Sequence, residues 1–82
     1  MAITYPPIPP APGESAEVEL RPGVRTELRC VAEGHWLTDP VQGVQTEVRR
    51  GDEGYSVLTT NGDAHLESEW RSWREAMIHG VV

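Results

Sequence analysis

Pro6, Pro7, Pro9, Pro10 and Pro12 fall within the first thirteen residues of the chain, which carry no charged side chain. Each proline holds φ near about −65° and removes a backbone donor. The stretch is therefore closed to helix and to any central strand, and its favoured form is a stiff, extended polyproline arm. Tyr5, Ile8 and Ala11 recur at the polyproline period and would share one edge of such an arm. Pro-x-x-Pro spacing occurs at Pro6–Pro9, Pro7–Pro10 and Pro9–Pro12. A polyproline arm satisfies few of its own backbone groups, so it reaches for another surface. The expectation is an arm over residues 1–15 laid into a groove on a neighbouring subunit. Its contact residues would be Ile3, Tyr5, Pro6, Pro7, Ile8, Pro9 and Pro10; a free leader is the alternative.

The remaining residues, 16–82, suffice for one small domain whose core is marginal without a disulfide, metal or partner. Cys30 is the single cysteine, so an internal disulfide is excluded. It sits in an alternating segment, which predicts a small, buried, inert thiol. One cysteine and no signal-peptide pattern fit the bacterial cytoplasm or a virion assembled there. No apolar run approaches the length of a membrane span.

Thirteen acids outweigh seven arginines, with no lysine, for a net charge of −6. That balance argues against a phosphate-binding surface and against anionic membrane. A nucleic-acid mimic would need dense like charge on one face. Here Arg25, Glu27 and Arg29, then Glu69 and Arg71, then Arg74 and Glu75 interleave, which describes a solvated face. Arginine as the sole strong cation suggests a high-GC coding sequence, such as that of an actinobacterium or its phage.

Residues 16–20 and 24–33 alternate with period two, with Val18 and Leu20, then Val24, Thr26, Leu28, Cys30 and Ala32, turned one way. Pro22-Gly23 supplies the turn between them. Strand character returns at 44–50 and at 55–60, and 34–38 can start as strand before Asp39-Pro40 ends it in a turn. Asn61-Gly62 suits a type I′ hairpin turn if strands flank it. The residues that follow favour a helix over 64–79, with Asp63 as N-cap, Gly80 as stop, and Leu66, Trp70, Trp73 and Met77 on one face. A helix starting at Ser68, with 63–67 as strand, is the rival. The fold class expected is α+β: a small antiparallel sheet of about four short strands, one C-terminal helix packed on it, and the arm.

Chemistry-bearing residues do not assemble into a motif. His35, His65 and His79 are the histidines; Cys30 with His35, and His65 with Glu69, match no zinc spacing. Ser56, Ser68 and Ser72 lie in no nucleophile elbow, and no glycine-rich phosphate loop occurs. Asp52, Glu53 and Asp63 would cluster only if their turns lay at one end of the sheet. No catalytic residue, metal or cofactor is expected. Trp36, in a loop-like stretch beside His35 and Asp39, is either core or a surface anchor for a partner.

Val48-Arg49, Val57-Leu58-Thr59 and Glu69-Trp70-Arg71 resemble short actinobacterial regulatory domains in which a strand, a second strand and an E-W-R helix follow in that order. The resemblance covers under half the chain and implies a helix through Glu69-Trp70-Arg71; it carries no function. The leading expectation is a non-enzymatic assembly protein, such as a small phage decoration, connector or tail-associated subunit, bound to other protein subunits through its arm. The alternative is a small acidic soluble regulator or inhibitor of a host protein.

Overall fold

The computed structural model describes residues 5–81. Six strands, β1 (Ser15–Arg21), β2 (Val24–Ala32), β3 (His35–Thr38), β4 (Val44–Arg50), β5 (Tyr55–Asn61) and β6 (Ala64–Trp70), form one antiparallel sheet in chain order. The alternation in β2 is realised directly: Thr26, Leu28 and Cys30 are buried, whereas Arg25, Glu27 and Arg29 are exposed. Beyond Cys30 the register shifts, and Ala32 leaves the core.

The meander depends on its turns. Pro22-Gly23 joins β1 to β2, with Gly23 at φ +82°. A further two-residue reversal lies where neither strand pattern nor Asn-Gly pointed. Gln42 and Gly43 both take positive φ (52° and 79°), and Val41 and Val44 exchange two 2.9 Å backbone hydrogen bonds across them. Two consecutive positive φ values are the mark of a type I′ turn.

The sheet has two more strands than the four expected, and the larger correction is β6. Residues 64–70 are strand, not helix, and pair in unbroken register with β5 from Asn61↔Ala64 to Tyr55↔Trp70. The two-residue loop is Gly62-Asp63, with the positive φ (61°) on Gly62, the position a type II′ turn assigns to glycine. Asp63 is thus a turn residue, not an N-cap. Glu69-Trp70-Arg71, expected within a helix, closes the strand instead. The sequence spacing of Leu66, Trp70, Trp73 and Met77 imitates a helix, but Leu66, Ser68 and Trp70 also alternate. The ladder offered by β5 decides between the two periods.

The helix begins only at α1 (Trp73–Glu75), capped by Ser72, whose Oγ accepts the Glu75 N–H at 3.1 Å, and continues as a π-helical stretch, Ala76–Val81. It lies on the sheet's inner face. Trp73, Ala76, Met77 and Val81 bury there against Val18, Leu28, Cys30, Trp36, Val48 and Val57. Gly80 is not a stop signal. It lies inside the π-helical stretch, where a Cβ would come within 2.8 Å of both Trp70 Nε1 and Val57 Cγ2. Packing, rather than termination, demands glycine there. Where the inner face is polar, its threonines are satisfied internally: Thr38 Oγ1 accepts the Thr46 N–H at 2.9 Å, and the Thr26 hydroxyl donates to the Asp39 carbonyl at 3.1 Å.

Candidate functional site

Trp36, Tyr55 and Trp73 converge on the inner face, with ring centroids 4.9 Å (Trp36–Trp73), 5.5 Å (Tyr55–Trp73) and 6.0 Å (Trp36–Tyr55) apart. A buried indole brings an N–H donor that must be satisfied. The proline segment has the opposite need, carbonyl acceptors with few donors of its own. The two meet. Trp73 Nε1–H donates to the Pro6 carbonyl at 2.8 Å, and Trp36 Nε1–H donates to the Pro10 carbonyl at 2.9 Å. Proline-rich segments dock generally in aromatic-lined grooves; here groove and segment belong to one chain.

This changes the standing of each residue expected to touch a partner. Trp36 is 2% exposed and belongs to the core; it holds the arm rather than a neighbour. Pro6 is buried and Tyr5 packs against the core, so both face their own domain. Pro9 and Pro10 are half-buried, while Pro7 is exposed and Ile8 is 76% exposed. Ile3 lies outside the described residues. The chain bends at Pro7-Ile8, so Tyr5 and Ile8 do not share an edge as a continuous three-residue period would require. Past the bend, Glu14 N–H bonds the Ala11 carbonyl at 2.8 Å around Pro12-Gly13 and delivers the chain to β1. A shallow groove runs between Ile8, Pro9 and Pro10 on one side and Glu14, Ser15 and Ala16 on the other.

The titratable groups considered for chemistry are kept apart. Cys30 faces the core and donates to the Ala32 carbonyl at 3.0 Å, whereas His35 is on the opposite face. His65 and Glu69, which a helix would stack one turn apart, lie four strand positions apart, roughly 13 Å. Asp52 and Glu53 sit at the opposite end of β5 from Asp63, so no carboxylate cluster forms across the two turns. His79 stacks on Trp70 with centroids 5.4 Å apart. Among the described residues no three His, Cys, Asp or Glu side chains converge as a metal set, and no helix is long and apolar enough to cross a membrane.

On the outer face, charge is laid out in pairs. Arg25 binds Glu17 (3.2 Å), and Arg29 binds Glu27 (3.2 Å) and, through Nε and Nη2, Asp39 (3.1 Å). The hydrogen bonds from Arg29 hold the Asp39 carboxyl below its ordinary range. His35 Nε2 lies 2.6 Å from Glu47 Oε2, and Arg49 lies 3.3 Å from Glu47 Oε1. Partial burial works against charge on Glu47, but the hydrogen bonds from His35 and Arg49 outweigh it and hold this carboxyl low as well. Such an arrangement stabilises a half-exposed ionised carboxylate; no nucleophile adjoins it.

Comparison with known protein families, with curated proteins and with solved structures finds no match. The functional reading therefore rests on the surface of the chain itself.

Proposed function

We propose that this chain is a non-enzymatic protein–protein interaction subunit of a larger assembly, and that the outer edge of its proline arm is the contact with a neighbour. One observation carries the reading: Ile8 is 76% exposed on a segment latched at both ends to the core by indole hydrogen bonds. A large aliphatic side chain held out on a pre-ordered backbone loses little conformational freedom on docking, which is the condition under which a small contact is effective. Repetition of a small contact around a symmetric particle multiplies it through avidity. A phage virion, as a decoration, connector or tail-associated component, is the setting that size, arm and arginine-only coding favour.

The arm also stabilises its own domain, so truncation is a poor test. Substitution of Ile8 is a clean one. A photo-crosslinking residue at position 8 should give one adduct of defined mass in the organism that carries the chain, and the same residue at exposed Glu33 should not. Ile8→Asp should abolish incorporation into the assembly with an unchanged melting temperature. Normal incorporation of Ile8→Asp would remove the proposal.

A further inference from the structure

A second surface, unconnected with the arm, lies at the free edge of β6. The sheet has two edges, β1 and β6. The β1 edge is interrupted by a register shift between Glu19 and Arg21, and its acids are engaged by Arg25. The β6 edge runs seven residues in unbroken register, without proline or bulge. Long regular edges are normally blunted, because their unpaired N–H and C=O groups are templates for another strand.

The hairpin geometry shows which groups are offered. In an antiparallel ladder, alternate pairs exchange both hydrogen bonds. A two-residue loop closes on a bonded pair, here Asn61 and Ala64, so Ala64, Leu66, Ser68 and Trp70 bond inward to β5. His65, Glu67 and Glu69 then turn their backbone groups outward, and all three residues are exposed. Among the described residues no turn or loop backbone group bonds them. Leu66, on the inner-face side of the same edge, is 74% exposed.

Charge selects the occupant. The described ion pairs engage Glu17, Glu19, Glu27, Glu33, Asp39 and Glu47, all between β1 and β4. None reaches Glu67 or Glu69. A second copy fits poorly. Antiparallel registers centred on Leu66, Glu67 or Ser68 set Asp63 against Glu69, Glu67 against Glu67, or Glu67 against Glu69, and like charges directly opposite destabilise a strand pair. We infer that the β6 edge accepts an extended basic segment of another protein as a seventh strand. Its arginines or lysines, at alternate positions, lie opposite His65, Glu67 and Glu69, and an apolar residue covers Leu66. Backbone bonds would supply affinity and the alternating side chains specificity.

The probe is a capped peptide, Thr-Arg-Val-Arg-Val-Arg-Thr, titrated calorimetrically into the full chain at low salt. One-to-one binding is expected. It should weaken by on the order of tenfold or more with Glu67→Arg and Glu69→Arg combined, since like charges then face each other. Circular dichroism would verify that the variant is folded; both positions are exposed. Methylation of the three arginine amides, which point at β6, should abolish binding, while methylation of the valine amides, which point away, should leave it. Equal binding of the two methylated peptides would reduce the interaction to charge attraction and overturn strand addition. Failure of the unmodified peptide to bind would overturn it also. So would a concentration-dependent dimer that competes with the peptide, which would make a second copy the occupant. Because every variant leaves residues 5–16 untouched, the outcome is separable from that of the Ile8 experiment.

Discussion

Trp73→Phe tests whether the arm is held by the indole bonds. The side chain is 6% exposed, and its N–H lies 2.8 Å from the Pro6 carbonyl. Three contributions enter. The lost hydrogen bond is worth about 0.5–1.5 kcal/mol, and a carbonyl left buried without a donor costs about 1–3 kcal/mol more unless the arm lifts and water reaches it. The smaller ring forfeits apolar contact worth roughly 2 kcal/mol. With the arm lifted and the carbonyl hydrated, a total near 3 kcal/mol is expected, a large share of the ~4–12 kcal/mol typical for a chain of this size. Urea melts followed by circular dichroism would give that total, but a total does not separate the bond from the packing. The separation comes from repeating Trp73→Phe in a chain that begins at residue 11. With Pro6 absent, only the packing part remains, so the substitution should cost about 0.5–1.5 kcal/mol less there, the coupling energy of the cycle. In the longer chain, the ring resonances of Tyr5, which packs on the core, should move toward solvent-exposed positions when Trp73 becomes Phe. An identical cost in both chains, with Tyr5 unmoved, would refute the latch.

Three further outcomes follow from the same geometry. Gly54→Ala should destabilise by about 3 kcal/mol or more in a denaturant melt, because its φ of +151° is strained for alanine and its Cβ would overlap the Trp70 carbonyl oxygen; Gly62→Ala, which meets nothing within 4 Å, should cost only about 1 kcal/mol. Glu47 has a folded pKa below its unfolded one, so its contribution is full above the ordinary carboxylate range, about pH 4.3, and disappears as pH falls through the depressed folded value; the urea midpoint should therefore drop more steeply between about pH 5 and pH 3 in the parent than in Glu47→Gln. Cys30 is 4% exposed, so a thiol reagent should modify it at the rate of opening, accelerating with urea in step with unfolding; rapid modification of the native chain would contradict its burial.

Much of the sheet was written in local pattern. Arg25, Glu27 and Arg29 alternate with Thr26, Leu28 and Cys30, and a strand with one wet face is the only regular structure that uses such a period. The prolines of residues 6–12 likewise excluded helix and central strand without reference to anything else, and residues 5–14 carry neither. The segment after Asn61 was not legible, because Leu66, Trp70, Trp73 and Met77 satisfy a helical period while Leu66, Ser68 and Trp70 satisfy a strand one. A helix is judged by its own residues; a strand is judged by the neighbour that completes its hydrogen bonds. Only β5, lying alongside, could settle the matter.

The candidate site divides the same way. That Trp36 and Trp73 would bring indole donors, and that the proline segment would bring acceptors without donors, was determined by residue type alone. That these groups would answer each other was decided by the tertiary structure. The sheet sets Trp36 beside the helix that carries Trp73, and the arm returns over both, joining residues sixty-seven positions apart in the chain. Local propensity carries no information about contacts over that separation. Burial of the aromatic cluster and the need to satisfy its two indole N–H groups do, and they turned a segment suited to a foreign groove toward its own.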